Sequence, residues 1–128
     1  MRNIITPSDL EPLLERAWSQ ATSADHSGWS RRNAAWGQCA VTACVVQEYF
    51  GGVLLRVNAF VPGVSEPIGH YFNQLPDGTI ADLTRKQFPE GTMFSAPEER
   101  ARAYVLDPKF STLKRYRLLK RRLLRANK

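Results

Sequence analysis

Cysteine and histidine are scarce in this chain, with two of each in 128 residues. Two cysteines five positions apart, Cys39 and Cys44, make neither a disulfide framework nor a zinc site. Both thiols are therefore expected to be reduced, with no metal and no cofactor. Long apolar runs are missing too. The longest uncharged apolar stretch, Ala40 to Gln47, is far too short to span a bilayer, so no membrane insertion is expected. The opening MRNIITPSDL has no long apolar core of the secretory type, and the expected compartment is the cytoplasm. Internal repeats, low-complexity segments and linkers are absent, and the length suits a single domain over 1–128.

Acidic charge is missing from one region only. Lys109 to Lys128 carries nine basic residues and no acid, whereas residues 1–108 carry nine basic and twelve acidic ones, a net of −3. The net charge of +6 is thus the property of a terminal segment, which argues against a nucleic-acid surface spread over the body.

Apolar periodicity supplies the elements. Leu10, Leu13, Leu14, Ala17 and Trp18 form one helical stripe behind a capping-box pattern of Ser8 and Glu11. Cys39 and the nearly uncharged AVTACVVQEYF predict a buried helix stopped at Gly51-Gly52. Val53 to Val61 predicts a strand. Gly69 to Leu75 and Thr79 to Thr84 predict a hairpin around Pro76-Asp77-Gly78. Ala96-Pro97-Glu98-Glu99 predicts the start of a short helix. Phe110 to Ala126 predicts a last helix with Leu113, Tyr116, Leu119, Leu123 and Leu124 on one side. The order is that of an α+β domain.

A thiol enzyme needs an activated cysteine, a histidine to hold or move its proton, and a group that orients the histidine. Cys39 stands where a loop enters a helix, and a helix N-terminus offers unpaired N–H groups and a positive dipole end. Cys44, mid-helix in an apolar run, reads as core packing. His70 opens the hairpin and Asp82 lies on its return strand. A three-residue loop of Pro76, Asp77 and Gly78 places His70 and Asp82 on one face as diagonal neighbours. The two-residue Asp77-Gly78 turn, which propensity favours, shifts the register by one and separates them. The chemistry therefore predicts the three-residue loop, on the face against which the Cys39 helix packs.

Trp36-Gly37-Gln38-Cys39-Ala40-Val41 resembles the nucleophile segment of transglutaminases, and His70-Tyr71-Phe72-Asn73 followed by Asp82-Leu83-Thr84 resembles that superfamily's His and Asp strands. As a whole the chain is similar to the YunG-like bacterial family, through Gln38 to Ala43, Gly51-Gly52, Asp82-Leu83-Thr84 with Gln87-Phe88, and the helix containing Arg115 to Lys120. The resemblance implies a papain-like, transglutaminase-like core, with a buried nucleophile helix packed on a small antiparallel sheet. It also implies a cysteine-dependent hydrolase or acyltransferase with Cys39 as nucleophile, His70 as proton carrier and Asp82 as orienter. Its substrate would be a peptide or small amide. The Cys39 N–H would be one oxyanion donor. Trp36, then Trp29, then Trp18 are candidates for a second, Gln38 for substrate contact or for holding the turn, and Asn73 is the fallback orienter. No calcium-binding acidic cluster is present, so calcium dependence is not carried over. His26, in a polar loop, is expected to be solvated.

The basic terminal helix is expected to dock its apolar stripe on the acidic body rather than to bind nucleic acid. Two alternatives to the enzyme stand: a binding module with the fold and no chemistry, and a nucleic-acid-associated protein using that helix. The sequence does not set the oligomeric state.

Overall fold

The computed structural model describes residues 3–128. The α+β order is that expected from the sequence, with a 3-10 turn and two short strands added. Helix α1 (Pro7–Ala17) and helix α2 (Cys39–Phe50) precede strands β1 (Val53–Phe60), β2 (Ile68–Gln74) and β3 (Ile80–Ala81). A 3-10 turn (Arg85–Gln87), short strands β4 (Met93–Phe94) and β5 (Glu98–Arg100), a single helical turn α3 (Arg102–Val105) and helix α4 (Thr112–Ala126) follow. β1 is the centre of an antiparallel sheet, with β2 along one edge and β4 and β5 sharing the other. β3 extends the sheet beyond β2.

The stripe of α1 is buried as expected: Leu10, Leu13, Leu14, Ala17 and Trp18 all lie in the core. Full burial of each leucine contributes about 1.5–3 kcal/mol. The cap is two residues earlier than Ser8. Thr6 precedes Pro7 at the first helical position, and Asp9, not Glu11, reaches back to the Thr6 N–H at 2.8 Å. α2 begins at Cys39 and stops at Gly51, whose φ of +78° suits glycine.

The segment expected to open as a helix at Pro97 is instead β5. Glu98 to Arg100 pair with Arg56 to Leu54 of β1. The acidic first turn is a weak local signal, and the open edge of a central strand offers three residues of ladder in its place. α4 docks along α1 and α2 through Tyr116, Leu119 and Leu123. Leu124 departs from the expected stripe and is 62% exposed. Arg122 donates to the Ala17 carbonyl, Lys120 pairs with Glu48, and Arg102 donates to the Tyr116 hydroxyl at 2.6 Å. Among the described residues no helix is long and apolar enough to cross a membrane.

Candidate functional site

The hairpin loop decides where His70 and Asp82 go. Gln74 pairs with Ile80 and Asn73 with Ala81. The Leu75 N–H donates to the Thr79 carbonyl at 2.8 Å, closing the three-residue loop. Pro76 fixes φ in the first turn position, the Gly78 N–H returns to the Leu75 carbonyl at 2.9 Å, and Gly78 takes φ +88°. The alternative two-residue turn needs positive φ at Asp77, and no described non-glycine residue has it.

With that register Asp82 Oδ2 stands 2.7 Å from His70 Nε2. β3 pairs with β2 only at its far end, so β2 has no strand partner on that side at the level of His70. The Cys39 side chain meets β2 there, with its sulfur 4.0 Å from the Gly69 carbonyl. α2 then runs along β2, so that four residues later the Ala43 carbonyl accepts from Asn73 Nδ2 at 2.9 Å.

One expectation about the sheet faces is corrected. His70 and Asp82 do share a face, but α2 does not pack on it. Side chains alternate along β2: Tyr71 and Asn73 meet the helical layer, and His70 and Phe72 take the other side. Cys39 therefore approaches His70 from the end of its helix. Aromatic residues to which the sequence analysis gave no role at the site wall in the imidazole. Phe88 stands edge-on at 5.0 Å, with Phe72 stacked at 5.8 Å and Phe94 at 6.1 Å. Arg85 covers Phe94 at 3.7 Å and reaches Asp82 Oδ2 at 3.5 Å. Phe88 belongs to the Gln87-Phe88 motif and Phe94 offers a sequence signal only as an aromatic beyond Asp82; their convergence on His70 is tertiary.

His70 is fully buried. Burial pushes its pKa down, but the hydrogen bond to Asp82 and the neighbouring Cys39 sulfur outweigh it and hold the pKa at about 9. Nδ1 of His70 and Oδ1 of Asp82 are buried without a hydrogen-bond partner among the described residues. Cys39 is partly exposed. Cys44 is wholly buried, and desolvation pushes its thiol up to about 11.

The other candidates have structural duties. Gln38 is fully buried and its Nε2 donates to the Ser19 carbonyl at 2.9 Å, so it holds the turn before Cys39. The indole N–H groups are all committed elsewhere. Trp36 donates to Asp25, Trp29 to the Ala34 carbonyl and Trp18 to Thr42, at 2.9–3.0 Å, so none is offered as an oxyanion donor. Asn73, bonded to Ala43, does not orient His70. Gln87 ties the loop to the site: its Oε1 accepts from the Gly37 N–H at 3.2 Å and its carbonyl from Asn33 at 3.0 Å. Gly37 has φ +74°, and a Cβ there would lie 2.2 Å from Ser23 Oγ, so only glycine fits the approach to Cys39. Among the described residues no three of His, Cys, Asp and Glu converge where they could hold a metal ion.

The sequence model of the YunG protein family matches residues 6–128. The uncharacterized protein YunG of Bacillus subtilis (strain 168) is 29% identical over 94 residues, 73% of each chain. No solved structure matches at a significant level. The family match runs from the cap of α1 to the end of α4 and includes Cys39, His70 and Asp82. By that match the chain belongs to the YunG protein family.

Proposed function

We propose that the protein is a cofactor-free thiol enzyme of papain-like, transglutaminase-like type, acting in the cytoplasm on an amide or acyl substrate. The observation that carries the reading is the 2.7 Å contact between Asp82 and His70, with the other imidazole nitrogen unbonded and the Cys39 thiol beside the ring. Asp82 orients the imidazole and stabilises its positive form by the general logic of such triads. Cys39 attacks the substrate carbonyl as the thiolate, paired with the imidazolium. The backbone N–H of Cys39 at the start of α2 faces the developing oxyanion. The C–N bond breaks as His70 gives its proton to the leaving amine, and a thioester on Cys39 remains. His70, now neutral, takes a proton from water or a second amine as that nucleophile attacks the thioester, and Cys39 is released.

The test is covalent capture. Incubation with a small activated acyl ester should add one acyl mass, mapped to Cys39 by peptide mass spectrometry, and Cys39→Ala should abolish it. Loss of the adduct from His70→Ala as well, with the fold retained, would place the proton step on His70. A folded protein that acquires no adduct on Cys39 would instead be the non-catalytic binding module.

A further inference from the structure

We propose that the cleft between the α1–α2 loop and α4 is a binding site for a small organic anion, a carboxylate or phosphate carried on an apolar body. The site stands independently of the thiol chemistry. The cleft encloses about 420 Å³, within the roughly 300–1,000 Å³ range of small-molecule sites. Its apolar lining comes from Ala21, Ala24 and Leu118. Its charged lining is entirely of one sign or neutral: Lys114, Arg115 and Arg121 on one face of α4, with His26 opposite. Among the described residues no carboxylate lines it, and Asp25, beside His26, is turned to Trp36, Ser27 and Gly28.

Arg115 is the central observation. It is only 7% exposed, and its guanidinium is held by neutral acceptors: Ser111 Oγ at 3.1 Å, the Thr22 carbonyl at 3.1 Å and Thr112 Oγ1 at 3.4 Å. Among the described residues no carboxylate pairs with it. A nearly buried guanidinium without a counter-charge is costly, and three of its five N–H groups are used. The same cleft lies at the first turn of α4, where a helix favours negative charge. That turn holds Lys114 and Arg115 and no acid. An anion seated there satisfies the spare guanidinium donors, the cationic rim and the helix end together. Leu118 and the two alanines set the preference for an apolar body over a bare ion.

NMR titration of the isotope-labelled full chain at low salt tests this. The probes are phenyl phosphate, benzoate, inorganic phosphate and phenol. Phenyl phosphate or benzoate should shift the amides of Ser23, Ala24, Ser111 and Arg115 and bind about tenfold or more tighter than phenol. Comparing the two shows whether the anionic head is a phosphate or a carboxylate. The double variant Lys114→Gln/Arg121→Gln changes exposed side chains and should keep the fold while weakening binding about tenfold; Arg115→Gln should weaken it further. Binding no tighter than phenol, or shifts spread equally over Arg117 and Arg125 outside the cleft, would overturn the site. Inorganic phosphate binding as tightly as phenyl phosphate would overturn the role of the apolar lining.

Discussion

Cys39 begins α2 and Cys44 lies little more than a turn further along the same helix, yet their surroundings are opposites. Cys39 is partly exposed at a helix start, against the edge of β2, with the His70 ring beside it. Cys44 is packed in the core with Leu119 and Tyr116 of α4, and desolvation holds its thiol up to about 11. The residue type is the same and the helix is the same. What differs is which layer each turn meets: the sheet edge in one case, the helical core in the other. The inner turn lies in the core, and the outer turn carries the thiol to which the proposed function gives the chemistry, so perturbations of the two should separate.

The largest expected effect is on the inner turn. Removing residues 109–128 uncovers the surface under Tyr116, Leu119 and Leu123, each worth about 1.5–3 kcal/mol when buried. That loss is comparable to the ~5–15 kcal/mol total stability of a domain, so the truncated chain should show no cooperative thermal transition. A transition at an unchanged temperature would show α4 to be a free arm and bring the nucleic-acid reading forward. Leu119→Ala attacks the same layer more gently. It should cost about 2–5 kcal/mol in denaturant unfolding and leave Cys39 alkylation in the folded protein as it was.

Iodoacetamide near pH 6.5 reads the comparison directly. Cys39 should be labelled about a hundredfold faster than Cys44, whose reaction requires opening of the core. Equal slow labelling of both would remove the distinction between the two turns. Asp82→Asn acts on the outer turn alone. It should lower Cys39 labelling about tenfold, a difference of about 1.4 kcal/mol, with Cys44 unaffected.

The remaining effect is a pH dependence of stability. His70 has its folded pKa raised from 6.5 to about 9, so its contribution is complete below pH ~6.5 and is lost as pH rises through 9. Stability should therefore decline over that window, by at most about 1.4 kcal/mol per pH unit, and Asp82→Asn should flatten the decline. Cys44, raised from 9.0 to about 11, adds a loss of the same sign above pH 9, which Cys44→Ala should remove. A flat profile from pH 6 to 9 in the unmodified chain would contradict the His70–Asp82 coupling.

Local pattern made much of the fold legible, and where it failed the reasons are specific. The α1 stripe and the extent of α2 follow from apolar spacing and a glycine stop. The α1 cap was ambiguous because Thr6–Asp9 and Ser8–Glu11 both satisfy the motif, and Pro7 at the first helical position fits the earlier choice. β5 was hidden because Pro97-Glu98-Glu99 carries helix-start chemistry, while its pairing depends on a β1 edge more than forty residues away. The indole N–H groups could not be assigned from sequence, since their acceptors are fixed by loop packing.

By itself the sequence determined that Cys39 would stand at a helix start, because helix ends, turn residues and apolar periods act over a few positions. It also contained the three-residue loop, through Pro76 and Gly78, that sets the parity of His70 and Asp82. Only the tertiary structure decided that this shared face lies away from the helical layer, that Phe72, Phe88 and Phe94 enclose the imidazole, and that Arg115 is buried beside a cationic cleft, with no carboxylate partner among the described residues. Those outcomes depend on how the sheet and α4 pack against the rest of the chain, and packing joins residues that no local period relates.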